Sequence, residues 1–259
     1  MISETYDGFV CDLDGVVYRG SAPIPGAAEA IARSRASGHR FLFCTNNSYR
    51  TPGSYIERLG AQGIQASREE VLTSAMVTAR VLRGRAPENR AVYLVGGPGI
   101  RGELEGAGFD VVSPTEDRDV GTVVVGADPD FTYDAMRRAA RAVREGALLI
   151  GTNPDTSFPA TDGLWPGAGA ILASIEVASG VQAEIMGKPR RPMMEEAARR
   201  LEGCKSIAAI GDLPATDLDG ARSQGWGTIL VLSGVTDTAA VAGLDPQPDH
   251  VIGSIAELA

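Results

Sequence analysis

Two carboxylates, Asp12 and Asp14, stand directly after the apolar run Phe9-Val10-Cys11 and directly before Gly15. On a continuing strand they would crowd one face. Glycine lets the chain turn sharply there, which could splay the two around one ligand. One could then attack or bind a metal while the other faces a leaving group. Other polar clusters also follow apolar runs: Thr45-Asn46-Asn47-Ser48, Gly187-Lys188-Pro189, and Gly211-Asp212 with Asp217 beyond it. Such a carboxylate set suits a hard cation, since magnesium takes one or two carboxylates together with phosphate oxygens and waters. A carboxylate can also attack a phosphoryl group to form an aspartyl-phosphate. A metal ion, Lys188 and the Thr45 hydroxyl could together neutralise the charge.

The clusters need a scaffold, and the pattern of the chain supplies one. Strand-length apolar runs at 9–11, 41–44, 92–95, 122–125, 148–150, 207–210 and 228–232 alternate with helical patterns. These lie at 25–37, from 52, and at 74–82, 99–107, 133–144, 167–179 and 192–201, with another ending near Gln224. Gly38 falls just past the first helix, and Ser67 with Glu70 has capping-box spacing. The alternation implies βαβ units and a doubly wound, mainly parallel α/β sheet. Open sheets of this kind bind ligands at the carboxyl ends of their strands, where the polar clusters fall. Gly84-Arg85-Ala86-Pro87 and Ser179-Gly180 delimit an insert. A core of residues 1–82 and 184–259 with an α/β cap at 83–183 is expected.

Composition bounds the function. The 259 residues are 44% hydrophobic, enough for a sizeable core, and no run approaches the ~18 apolar residues of a membrane helix. No signal region opens the chain, so a cytoplasmic protein without a membrane partner is expected. The net charge of −9 sets nucleic acid against the overall field, and an anionic small substrate needs a local positive device. Cys11, Cys44 and Cys204 are odd in number and lack CxxC spacing, which argues against a disulfide framework or structural zinc. Cys11 and Cys44 read as small buried hydrophobes. With His39 and His250 the only histidines, a histidine-rich zinc site or a serine triad is disfavoured. His39, after Gly38, reads as solvated or capping.

The order Asp12-Leu13-Asp14-Gly15-Val16, Thr45-Asn46-Asn47-Ser48, Gly187-Lys188-Pro189, then Gly211-Asp212 with Asp217, resembles the four motifs of the haloacid dehalogenase superfamily. The insert resembles that of the NagD and 4-nitrophenylphosphatase branch. Gly126-Ala127-Asp128 with Phe131-Thr132-Tyr133, Gly151-Thr152-Asn153-Pro154-Asp155, and Gly167-Ala168-Gly169-Ala170 after Pro166 carry that likeness. The resemblance implies Asp12 as nucleophile and Asp14 as general acid, then base. It implies Thr45 and Asn46 on phosphoryl oxygens, Asn47 in the same binding group, and Lys188 paired with Asp12 and the phosphate. Magnesium would be held by the Asp12 carboxylate, the Asp14 carbonyl and Asp212, with Asp217 orienting Lys188 or a metal water. The implied substrate is a small phosphorylated metabolite: glycerol phosphate, phosphoglycolate, a nucleotide monophosphate or pyridoxal phosphate. Asn153, Asp155 and Phe158 are the cap candidates for its leaving group, and the cap could supply a homodimer surface. Leu213-Pro214 departs from the family, where a polar or basic residue often follows the metal aspartate; proline removes a backbone donor.

Each feature also has a plainer reading. Lys188 alone would be a solvated surface charge, Asp212 and Asp217 helix caps beside Thr216, and Met193-Met194 core. Trp165 and Trp226 would be packing residues. Gly97-Pro98-Gly99-Ile100-Arg101-Gly102 matches GxGxxG between a strand and a helix, with Asp117 about twenty residues on. That spacing would suit a nicotinamide-dependent oxidoreductase. A catalytically idle relative that binds a phosphorylated ligand is the other alternative, although a sensor does not require Asp14.

Overall fold

Apolar runs buried on both faces are the mark of parallel strands covered by helices. In the computed structural model, which describes residues 2–113, 116, 118–160 and 163–258, they form two separate sheets. The chain divides into two compact units. One comprises residues 1–45, 53–72 and 188–259, and the other residues 46–52 and 73–187.

The first unit is built on a six-stranded sheet in the order His250–Ile252, Gly227–Val231, Ile207–Gly211, Gly8–Cys11, Arg40–Thr45, Val71–Thr73. The strand Gly8–Cys11 lies at its centre, parallel to both neighbours, with Cys11 level with Ile210 and Phe43. Three polar strand ends therefore emerge side by side. The helices Ala27–Ala36, Pro52–Ala61 and Arg191–Arg200 cover the sheet. Phe9, Phe43, Leu59, Met193 and Ile229 are fully buried, and so are Cys11 and Cys44. His39 caps the first of these helices, its Nδ1 lying 2.8 Å from the Ser34 carbonyl.

The second unit carries a five-stranded parallel sheet in the order Glu184–Ile185, Leu148–Gly151, Thr122–Val125, Ala91–Val95, Asp110–Val111. Its helices are Ser74–Arg85, Pro98–Gly106, Tyr133–Arg144 and Ala168–Ser179. An antiparallel hairpin pairs Ser157–Ala160 with Gly163–Pro166. This unit is wider than the insert expected at 83–183. The helix beginning at Ser74 is buried along most of its length, and residues 46–52 are stitched to the unit by main-chain hydrogen bonds.

That stitching also corrects the dinucleotide reading of Gly97, Gly99 and Gly102. A phosphate would need the N–H groups at the start of the helix Pro98–Gly106. Gly99 N–H instead donates to the Tyr49 carbonyl at 2.8 Å, and Ile100 N–H to Ser48 at 2.9 Å. A Cβ on Gly97 would meet the Tyr49 ring at 2.2 Å, and one on Gly99 the Arg50 carbonyl at 2.2 Å. Gly102 faces open space rather than the sheet. Gly97 and Gly99 admit the Tyr49 ring and the Arg50 carbonyl where a pyrophosphate would have to lie; Asp117 lies outside the described residues. None of the described helices is long and apolar enough to cross a membrane.

Candidate active site

The central strand of the first unit delivers Asp12. Its N–H still pairs with the Ile210 carbonyl at 2.9 Å, and the chain then turns, with Gly15 at φ 85°. Gly15 N–H donates to the Tyr18 carbonyl at 2.7 Å and Val17 N–H to Leu13 at 2.9 Å. The turn separates the two carboxylates as the glycine allowed: Leu13 is buried, the Asp12 side chain is 13% exposed, and Asp14 is exposed.

Lys188 reaches Asp12 from 176 residues along the chain. It is 4% exposed, which overrules the solvated reading. Its ammonium donates to Asp12 Oδ1 at 2.6 Å, to Asp217 Oδ1 at 2.7 Å and to the Cys44 carbonyl at 3.1 Å. An ammonium has three donors, and each of these acceptors lies within hydrogen-bond reach of it. Asp217 sits in the π-helical turn Pro214–Leu218, and its Oδ2 accepts from Leu213 N–H at 3.1 Å. The residue before Pro214 thus still supplies the donor that the proline lacks. A Cβ on Gly211 would strike Asp217 at 2.2 Å, so that glycine makes room for the carboxylate.

Asp212 follows the strand Ile207–Gly211 and is 5% exposed. Its Oδ2 accepts from Val235 N–H at 2.7 Å. Burial, with Asp217 adding to it, pushes its carboxyl up to about 6 against the Val235 hydrogen bond. Burial likewise raises Asp12 well above the usual carboxylate range; Lys188 pulls the other way, while Asp217 and Asp212 add to the rise. Burial alone would lower Lys188, but Asp12 and Asp217 hold it well above its ordinary value.

The residues fit a hard divalent cation. Asp12, Asp212 and Asp217 each offer a carboxylate oxygen, all within 4.8 Å of one another. Three carboxylates against one ammonium leave a formal excess of two negative charges. The Asp212 carboxylate also lies in a cradle that only glycine permits. A Cβ on Gly234 would fall 1.9 Å from its Oδ2, and one on Gly15 2.3 Å from it. Oxygen-only donors with surplus negative charge are the set magnesium prefers.

Thr45 ends the strand beside that of Asp12 and is 5% exposed. The remaining sequence candidates gather in the second unit. Asn46 donates from Nδ2 to Asp155 at 3.1 and 3.3 Å. Asn153 is 4% exposed; its Nδ2 donates to the Asn46 carbonyl at 2.8 Å and its Oδ1 accepts from Asp155 N–H at 3.1 Å. Asn47 Oδ1 accepts from the N–H groups of Tyr49 and Arg50 at 2.9 and 3.3 Å, holding its own turn. Phe158 is on the hairpin, its ring edge-on to Trp165 at 6.3 Å.

Sequence reasoning missed Gly234, Val235, Ser74 and the Cys44 carbonyl. A signal existed for the first two, because Ser233-Gly234 is a further polar cluster after an apolar run. Ser74 contributes a side-chain donor to the Asn46 carbonyl at 2.5 Å, and a main-chain acceptor such as Cys44 leaves no mark on the sequence.

Residues 9–110 match the haloacid dehalogenase-like hydrolase family, and residues 185–258 a HAD-hydrolase-like family. An acid sugar phosphatase of Staphylococcus haemolyticus is 38% identical over 248 residues, covering 95% of this chain and 93% of the relative. The p-nitrophenyl phosphatase of Archaeoglobus fulgidus superposes with a TM-score of 0.89 at 31% identity, covering 98% of each chain. A glycerol phosphate phosphatase of Mycobacterium tuberculosis, solved in complex with magnesium, superposes with a TM-score of 0.90 at 31% identity. That match covers 99% of this chain and 77% of the other.

Proposed function

The chain belongs to the haloacid dehalogenase-like hydrolases, in the branch of the 4-nitrophenylphosphatases, and on that premise we propose that it hydrolyses small phosphomonoesters through an aspartyl-phosphate on Asp12. The observation that carries this reading is the buried Lys188 ammonium, which holds Asp12 at 2.6 Å beside Asp212 and Asp217. An ordinary strand turn has no use for three clustered carboxylates around one lysine.

In this reading an Asp12 oxygen bonds to phosphorus as the ester P–O bond breaks. The Asp14 carboxyl gives its proton to the departing alkoxide, and its exposure leaves it open to a leaving group. Asp14 then takes a proton from water, whose oxygen displaces the Asp12 carboxylate from phosphorus and releases inorganic phosphate. Lys188 fixes the attacking oxygen and balances charge on the phosphoryl group, while the Thr45 hydroxyl holds one of its oxygens. Asp12, Asp212 and the Asp14 carbonyl would hold magnesium, whose charge stabilises the transferring group when bound.

The test is release of phosphate from 4-nitrophenyl phosphate with and without magnesium, extended to a panel of glycerol phosphate, phosphoglycolate, sugar phosphates and nucleotide monophosphates. Activity abolished by EDTA and restored by magnesium is expected, with kcat/KM ranking the esters. Tight phosphoester binding without turnover would favour the idle relative instead. The acid sugar phosphatase and glycerol phosphate phosphatase relatives favour small polyol and sugar esters as the first to try.

The glycine cradle gives a second expectation. Gly234→Ala places a methyl within 1.9 Å of the present Asp212 Oδ2 position, so the carboxylate must move. Residues that orient ligands typically contribute 10–100-fold to metal affinity. A magnesium titration of activity should show the half-saturating concentration rising by roughly 10-fold or more. An unchanged titration would remove Asp212 from the metal set.

A further inference from the structure

We propose that Asn153 is a positioning residue for phosphoryl transfer, fixing the peptide that follows Thr45 rather than contacting the leaving group. The inference rests on the phosphatase reading above. The chain first leaves the first unit between Thr45 and Asn46 and, after crossing back for residues 53–72, last returns to it between Gly187 and Lys188. The residues on the second-unit side of both junctions are held by one buried polar cluster.

The Asn46 carbonyl accepts two side-chain hydrogen bonds, from Asn153 Nδ2 at 2.8 Å and Ser74 Oγ at 2.5 Å. The Asn46 side chain is held separately, through its bonds to Asp155. Main chain and side chain of the residue after Thr45 are therefore both fixed. Asn153 meets opposite demands at its two ends, donating to Asn46 and accepting from Asp155 N–H at 3.1 Å. Only a primary amide has a donor and an acceptor in that fork. Gly187 closes the arrangement: a Cβ there would strike Asn46 Oδ1 at 2.5 Å, the Thr152 carbonyl at 2.6 Å and Asn153 Cβ at 3.1 Å. The backbone just before Lys188 thus lies against the Asn46 side chain and against Asn153, which clamps the backbone just after Thr45.

The consequence is common to every substrate. Thr45 and Lys188 act on the phosphoryl group, which all phosphomonoesters share, so loosening the clamp should slow each of them by the same factor. A leaving-group contact would discriminate between esters. A misplacement of about 1 Å remote from the chemistry costs on the order of 10²-fold in rate.

The experiment measures kcat and KM of the wild-type protein and of Asn153→Asp, which keeps the shape but turns the donor into an acceptor. The substrates are 4-nitrophenyl phosphate and glycerol 3-phosphate, each with saturating magnesium. A roughly 10–100-fold fall, equal for both esters and mainly in kcat, is expected. Ser74→Ala, a milder change at the same carbonyl, should show a smaller equal loss. Because both act through one carbonyl, the double variant should lose less than the two factors multiplied. A loss confined to one ester, a loss confined to KM, unchanged kcat in both single variants, or fully multiplicative losses would overturn the proposal. A wild-type protein that hydrolyses no ester would instead overturn the phosphatase reading, and this inference with it.

Discussion

Asp12→Asn is expected to cut turnover of 4-nitrophenyl phosphate by at least about 10⁴-fold, the scale seen when a nucleophile is removed, while leaving the fold intact. Both halves follow from the site. The amide has the shape of the carboxylate but is neutral and a poor nucleophile, so the first P–O bond does not form. Stability is retained because Lys188 keeps Asp217 at 2.7 Å and the Cys44 carbonyl at 3.1 Å. The substitution also removes one of three carboxylates crowded within 4.8 Å. Circular dichroism and a thermal melt at or slightly above the wild-type midpoint should accompany the inactive enzyme. Wild-type activity in this variant would sink the covalent mechanism. A collapsed fold would show that Asp12 serves the structure first.

The parts of this site that were legible share one property: their position is set by an apolar run. Phe9-Val10-Cys11 and the run ending at Ile210 place Asp12 and Asp212 at adjacent strand ends, since parallel strands in register present their carboxyl ends together. Family likeness then assigned roles that spacing alone left open. Legibility failed where a partner is a main-chain atom, because a carbonyl carries no residue identity. Cys44 looked like a buried hydrophobe, and it is one, yet its carbonyl holds Lys188. Asn153 donates to the Asn46 carbonyl, a main-chain partner that the sequence does not mark. Length explains the two strands missed in the six-stranded sheet: Val71–Thr73 and His250–Ile252 have three residues each, too few to show a period. The bounds of the second unit escaped for a related reason. Residues 46–52 join it through the carbonyls of Ser48 and Tyr49, and no shift in composition marks the change.

Lys188→Met carries the other large expected effect, and it separates this site from a surface ion pair. Methionine approximates the aliphatic stem without the charge, so Asp12 and Asp217 are left buried and facing one another with no cation between them. Removing one partner from a buried ion pair costs about 3–5 kcal/mol, because the orphaned charge stays desolvated. An exposed pair contributes about 0–1 kcal/mol. With the Lys188 side chain 5% exposed and that of Asp217 4% exposed, the buried case applies. Measured in EDTA, so that no divalent cation stands in for the ammonium, the thermal midpoint should fall by on the order of 10 °C. The double variant Lys188→Met/Asp217→Asn should recover part of that loss by removing one of the opposed carboxylates, whereas Lys188→Met/Glu69→Gln, at an exposed site, should recover none. Turnover should fall with the lysine in both cases, since neutralising Asp217 restores stability without restoring the cation that pairs with Asp12. A midpoint lowered by less than about 2 °C, the scale of a surface pair, would mean that the ammonium does not hold the two carboxylates together.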